Sequence, residues 1–270
     1  MDQHKNNKFF GGVEIPFKKS EEDAWKDIKS RIDALPSEEN KVVRMWPAIS
    51  AAAAIALLVG LLIFWPSKNE LVVVATLKGN SQSIELPDHS KVTLAPEAEI
   101  SYNTDWSQER KLSLKGQAFF EVQKGSTFTV ETSLGNVQVL GTSFDVSDRN
   151  NELSVICETG RVKVSSGDKE VIITPGMMAR ASKGAVVAFK SYKKGNQWLD
   201  GKFVYENEPL VNVLNEIERQ FNVEIQCNNL DSKVYVGEFN SKNLEEALIS
   251  VCAPFGLNYT IKDNMIVEIK

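Results

Sequence analysis

Three groups of side chains in this 270-residue sequence have the types that chemistry requires. Asp88, His89 and Ser90 are an acid, a base and a nucleophile. As consecutive residues they cannot form the spaced relay in which the base takes a proton from the nucleophile while the acid orients it. Cys157, Cys227 and Cys252 are thiol or metal-ligand candidates, yet their spacing fits no zinc motif, and only His4 and His89 could join them. Cys227 and Cys252 could pair in an oxidising compartment, leaving Cys157 over; buried thiols at all three positions are the alternative. Glu245 and Glu246 are an acidic pair within a helical pattern and read as a solvated face. No P-loop, Gly-x-Gly-x-x-Gly or Gly-x-Ser-x-Gly is present. The sequence therefore predicts no catalytic residue, no cofactor and no metal site, and a protein that is not an enzyme.

The elements that would hold these residues come from composition and periodicity. Hydrophobic residues make up 42% and charged residues 25%, which excludes a disordered chain, a collagen-like repeat and a polytopic membrane protein. The net charge is −5, so no basic surface for direct nucleic-acid contact is expected. Residues 1–45 carry nine basic and nine acidic side chains, so the whole excess of negative charge falls on the rest.

One stretch departs from the average. Trp46 to Trp65, WPAISAAAAIALLVGLLIFW, holds no charged residue. As a helix it would be about 28 Å long, close to the roughly 30 Å of a bilayer's hydrocarbon core. Trp46 and Trp65 would then lie at its two interfaces, where indole rings are favoured. A buried core helix is rarely this long, and no small-x-small cleavage site follows the run. The reading is a single transmembrane helix over 46–65. Lys41 and Arg44 precede it closely and Lys68 follows alone, which predicts a cytoplasmic N-terminus and an outer body from residue 66 onward.

Within the short cytoplasmic segment, 1–45, Ser20 followed by Glu21, Glu22 and Asp23 reads as a capped helix start. Trp25, Ile28, Ile32 and Leu35 then recur on one stripe of an amphipathic helix over about 20–35, ended by Pro36. A helix of this length has no core of its own. One reading is a partly formed membrane-proximal helix; the other is a helix that buries Trp25, Ile28, Ile32 and Leu35 in a partner's groove.

From Leu71 to about Lys190 the period is two. Twelve short runs, from LVVVATL to KEVIIT, are separated by turn signals such as Lys115-Gly116 and Pro175-Gly176. This predicts an antiparallel β-sandwich or jelly-roll-like domain over 66–190. Phe119, Val122, Val139, Phe144 and Val146 are expected to face its core, and Gly116 and Gly141 to supply turn or bulge geometry. After a polar linker, 191–197, the period changes. Residues 198–270 read as a β-α-β-β-α-β-β domain, a small sheet covered by two helices that are each apolar on one side. Pro209 opens the first helix and Asn243 with Glu246 caps the second.

The order of motifs in the β region resembles the FecR family of bacterial anti-sigma regulators. The matching pieces are Leu86 to Leu94, Ile100-Ser-Tyr102, Arg110-Lys-Leu112, Gly116-Gln-Ala-Phe-Phe-Glu-Val122, Val139-Leu-Gly-Thr-Ser-Phe-Asp-Val146, Gly160 to Val164 and Thr174-Pro-Gly176. His89 stands where the family turn usually has Gly. Trp198-x-x-Gly-Lys-Phe203, Glu208-Pro-Leu210, Leu214 to Phe221 and Leu244 to Leu248 resemble the small C-terminal domain that follows, which is similar to the short N-terminal modules of secretins and TonB-dependent transducers. The resemblance implies an inner-membrane anti-sigma factor. It would bind an extracytoplasmic-function sigma factor in the cytoplasm and receive a periplasmic signal from the signalling domain of a TonB-dependent transducer, with site-specific or intramembrane proteases acting on it. A membrane-anchored module that holds glycan or wall material is the rival, with Tyr102, Trp106 and Trp198 as its candidate aromatic groove.

Overall fold

A computed structural model of the chain describes residues 20–34, 54, 56–58, 70–227, 230, 232–262 and 266–270. The chain divides into two units, Met1–Trp65 and Pro66–Lys270. In the first, α1 spans Glu21–Asp33. Ser20 caps it by accepting from the Asp23 backbone N–H, and Glu21, Glu22 and Asp23 lie in its first turn beside the positive end of the helix dipole. Of the expected transmembrane run, only Ala54, Ala56, Leu57 and Leu58 are described, all helical. Trp46, Trp65 and Leu35 lie outside the described residues. Among the described residues no helix is long and apolar enough to cross a membrane.

The second unit is mainly β. Its first part holds β1 (Leu71–Ala75), β2 (Gln82–Glu85), β3 (Lys91–Leu94), β4 (Glu99–Asn103), β5 (Arg110–Glu121), β6 (Phe128–Glu131) and β7 (Asn136–Val139). These are followed by β8 (Ser143–Arg149), β9 (Glu152–Cys157), β10 (Val162–Ser166), β11 (Lys169–Ile173), β12 (Met177–Ser182) and β13 (Ala185–Lys190). They form one thirteen-stranded sheet that doubles over at β5. The first half of β5 pairs with β4 and β6, in a layer ordered β1-β4-β5-β6-β7-β10-β11. Its second half pairs with β3 and β8, in a layer ordered β2-β3-β5-β8-β9-β12-β13. At the far end β10 and β11 pack against β12 and β13, so the doubled sheet is nearly a barrel.

Three features differ from the alternation read in the sequence. KLSLK and QAFFEV are one strand, because Gly116 adopts φ 89° and lets β5 pass from layer to layer without a turn. A Cβ at this position would lie 2.8 Å from the Glu97 carbonyl oxygen, so the crossing admits only glycine without displacement. The β5–β6 pair is parallel, whereas the sandwich was expected to be wholly antiparallel. The strands β12 and β13 were not among the twelve expected runs, since MMARAS and AVVAFK carry small residues and an arginine in place of a clear apolar alternation.

The sandwich core gathers Leu94, Ile100, Leu112, Leu114, Phe120, Phe128 and Phe144, all essentially inaccessible. Phe120 stacks on Phe144 with centroids 5.1 Å apart and meets Phe128 edge-on at 6.2 Å. Truncating one such ring to alanine typically costs about 3–5 kcal/mol. Val122, Val139, Phe144 and Val146 lie here as expected; Phe119 does not. Neighbouring side chains on a strand point to opposite faces, so Phe120 enters the sandwich and Phe119 joins a second core with Ala95 and Trp198.

That second core belongs to the C-terminal part. Its elements are β14 (Lys202–Pro209), α2 (Leu210–Phe221), β15 (Glu224–Cys227), β16 (Val234–Asn240), α3 (Leu244–Cys252), β17 (Tyr259–Lys262) and β18 (Ile266–Ile269). The order of elements is the expected one. The single small sheet is instead two: β14 pairs with β16, and β18 is flanked by β15, parallel, and β17, antiparallel. Pairing of non-consecutive strands leaves no trace in alternation, which fixes only which side chains point inward. Asn243 caps α3 through Oδ1, which accepts from Glu245 and Glu246 N–H at 2.9 and 3.2 Å.

Candidate functional site

On α1 the apolar stripe is uncovered within the described residues. Trp25 is 68% exposed, Ile28 49% and Ile32 60%, and no residue of the helix is buried. The capped helix thus presents a tryptophan and two isoleucines to solvent on one stripe.

The larger constellation lies between the sandwich and the C-terminal part, and it starts from an acid. Asp145 sits on β8 between Phe144 and Val146, which enter the sandwich core. Alternation turns Asp145 to the outer face of the layer, where the C-terminal part covers it, leaving it 4% exposed. Its carboxylate accepts from Trp198 Nε1 at 2.8 Å and from Gln117 Nε2 at 3.1 and 3.2 Å. Burial pushes its pKa from 3.8 up to about 7, against the donors Trp198 and Gln117 and the charges of Lys193 and Arg149, which favour the ionised form.

Trp198 reaches Asp145 from a short 3-10 turn, Gln197–Asp200. Gly201 closes that turn at φ 76°, and a Cβ there would lie 2.7 Å from Ser241 Oγ. The motif Trp198-x-x-Gly-Lys-Phe203 thus supplies an indole for the sandwich, a tight stop, and Phe203 for the second core, where it stacks on Phe239 at 4.8 Å.

A buried ion cluster lies nearby. Glu216 on α2 receives Arg149 Nη1 of β8 at 2.9 Å and Arg219 Nη2 at 2.8 Å, with Gln220 Nε2 at 2.8 Å on its other oxygen. Arg149 also donates to the Pro96 carbonyl. Burial opposes ionisation of Glu216, but Arg149 and Arg219 outweigh it and hold its carboxyl below the usual range. A cavity of about 500 Å³ opens beside these groups, lined from the sandwich by Ser154 and Arg180, from the connector by Lys193 and Gln197, and from the C-terminal part by Tyr205 and Asn212.

The residues that could have done chemistry have structural roles. Asp88 accepts from Ser90 Oγ at 2.7 Å and from Arg110 Nη1 at 2.8 Å, so its carboxylate organises a turn. His89, at φ 64°, places Nδ1 2.6 Å from Glu85 Oε1, away from Ser90. Arg110, 7% exposed, also donates to the carbonyls of Gln123 and Ser126 and lies over the Phe128 ring. Among the described residues no cluster of His, Cys, Asp and Glu could hold a metal ion. Cys227 and Cys252 enter the same core, and burial pushes Cys252 up to about 11. Cys157 is a buried thiol of the sandwich core. Tyr102 and Trp106 pack edge-on at 5.9 Å against the sandwich core, and Trp198 is buried, so these three rings form no open aromatic groove.

The sequence reading missed Asp145, Arg149, Lys193 and Glu216. A signal was available for the covered face: two consecutive phenylalanines, Phe119 and Phe120, mark a strand buried on both sides.

Residues 72–163 match the FecR protein family, and residues 202–268 match the FecR C-terminal family. Two crystal structures of a candidate anti-sigma factor from Parabacteroides distasonis ATCC 8503 share the fold. One, at 2.50 Å resolution, is 24% identical and the other, at 1.65 Å, 23%; each has a TM-score of 0.68 and covers 74% of this chain and 98% of its own. No curated protein matches the chain.

Proposed function

The chain belongs to the FecR family of anti-sigma factors, carrying the FecR and FecR C-terminal domains in order, and from that premise we propose a single-pass inner-membrane regulator that holds an extracytoplasmic-function sigma factor on its cytoplasmic side. The observation that carries this reading is α1: a capped helix whose Trp25, Ile28 and Ile32 are exposed together. Burying these side chains in a groove of the sigma factor would remove apolar area from water at roughly 25 cal/mol per Å² and cover surface that factor needs elsewhere. Leu35 would extend the same stripe.

The uncharged run from Trp46 to Trp65 supports the membrane span, and the excess of positive charge before it supports the orientation, with the body from residue 66 in the periplasm. The body would take its signal from the periplasmic signalling domain of a TonB-dependent transducer. The C-terminal part supports this with open edges: among the described residues β16 pairs only with β14 and exposes Val234 and Val236, a surface on which an incoming strand can be added. Proteolytic processing would then release the sigma factor.

Two measurements test the reading. The full chain in detergent should capture a sigma factor from the parent cell extract, and recovery of none would reject the masking role. In intact spheroplasts, external protease should digest the body and spare α1; digestion of both, or of neither, would reject the topology.

A further inference from the structure

The connector between the two parts of the body reads Ser191-Tyr-Lys-Lys-Gly-Asn-Gln197, a polar stretch with two adjacent lysines. The cavity it borders, about 500 Å³, is within the range of small-molecule sites. Its wall carries six cationic side chains against four carboxylates. Most of these charges are committed. Arg149 and Arg219 share Glu216, Arg180 lies 3.3 Å from Glu152, and Lys202 pairs with Glu238 at 2.9 Å. Glu208 accepts from Asn212 at 2.7 Å, and Asp145 from Trp198 and Gln117, all neutral donors, so the charge of these two carboxylates is left to the lysines.

With Lys202 paired outside the wall, five cations face four carboxylates, and the surplus of one positive charge falls to the two connector lysines. The Lys193 ammonium lies 5.7 Å from the ring centroids of both Tyr192 and Tyr205, and it meets Asp145, Glu208 and Glu216 only at longer range. Lys194 is exposed at the cavity wall. Three further polar atoms of the lining are buried without a hydrogen-bond partner, Gln197 Oε1, Arg149 Nε and Arg180 Nε, and of these only Gln197 Oε1 is an acceptor. A surplus of cation beside an unused amide is a complement for a molecule with one oxyanion and at least one hydroxyl: the oxyanion answers the lysines and the hydroxyl donates to Gln197.

We infer that this cavity binds a small hydroxylated anion, a sugar acid or a sugar phosphate, whose charge is met by Lys193 and Lys194. Such a ligand would touch the sandwich, the connector and the C-terminal part at once. It would therefore clamp the joint between them and give the body an input of its own, separate from any protein partner.

The test is calorimetric titration of the full chain in detergent at pH 7 with D-glucuronate, D-glucose 6-phosphate and, as the uncharged control, D-glucose. Binding of either anion with none of glucose is the expected result, and which of the two binds identifies the carboxylate or the phosphate source. Lys193→Gln should weaken the anion at least tenfold. Lys194→Gln changes an exposed side chain outside either core, folds as the parent does, and should weaken it severalfold. Anion affinity unchanged in Lys194→Gln, equal binding of glucose, or no heat from either anion at millimolar concentration would overturn the proposal.

Discussion

The indole N–H of Trp198 donates to the carboxylate of Asp145 at 2.8 Å across 53 residues of sequence, joining the C-terminal part to the sandwich through a buried hydrogen bond. Each partner belongs to a motif that marks its own domain, Val139 to Val146 and Trp198 to Phe203. The most recognisable stretches of the two domains are thus the surfaces where they meet.

Trp198→Phe keeps the ring in the second core and removes its donor. A buried carboxylate that loses a partner costs about 1–3 kcal/mol, so urea unfolding of the variant should show a loss of that size. Asp145→Asn combined with Trp198→Phe should lose less than the two single changes added together. Strict additivity in that cycle would mean the pair is not coupled.

The pKa of Asp145 predicts a stability profile with an unusual sign. The group is raised from 3.8 to about 7 in the folded protein, so between those values the folded state holds a proton that the unfolded state has released. Stability therefore falls as pH rises from about 4.5 to 7, by up to about 1.4 kcal/mol per unit, and levels off above. Glu216 acts oppositely: its carboxyl is held below the usual range, and its contribution is lost only at lower pH. Thermal melts across this window should show the decline, and Asp145→Asn should flatten it. An unchanged slope in that variant would place the titration elsewhere.

Glu216→Gln would leave the guanidiniums of Arg149 and Arg219 buried without their shared carboxylate. Removing one member of a buried ion cluster costs about 3–5 kcal/mol. Because Arg149 comes from the sandwich and Glu216 from the C-terminal part, the loss should be accompanied by faster proteolysis of the 191–197 connector. Replacing the pair together, as Arg149→Met with Glu216→Leu, should cost less than Glu216→Gln alone; a larger loss would show that the charges themselves, and not their mutual satisfaction, hold the joint.

Trp25→Ala with Ile28→Ala should raise transcription of the sigma factor's targets at equal protein level, while circular dichroism shows the same helix content. Ser20→Ala, which removes the cap and about 1 kcal/mol of helix stability, should raise it less. Transcription unchanged by the double substitution would reject this stripe as the contact.

What could be read in the sequence follows from what local pattern encodes. Alternation located the sandwich strands from β1 to β11 but not β12 and β13, and the stripes Leu210, Val213, Leu214, Ile217 and Leu244, Leu248, Val251 located both C-terminal helices. The Ser20 and Asn243 caps were legible because a side-chain oxygen near three orphan N–H groups has a fixed sequence address. Pairing was not legible: nothing in KLSLK or QAFFEV says that one strand serves two layers, since that depends on Gly116 meeting the Glu97 carbonyl. The joint was hidden for the same reason. Asp145 looks like an ordinary outward residue of an alternating strand until a second domain covers it, and Lys193 and Glu216 gain their roles only from neighbours far along the chain.

The passage of β5 through both layers has a mechanical consequence. One backbone is the shared spine of the doubled sheet, so neither layer can slide or peel from the other without tearing ladders on both sides of Gly116. The two layers are therefore tied along one backbone, and separating them means breaking ladder hydrogen bonds on both sides of that glycine.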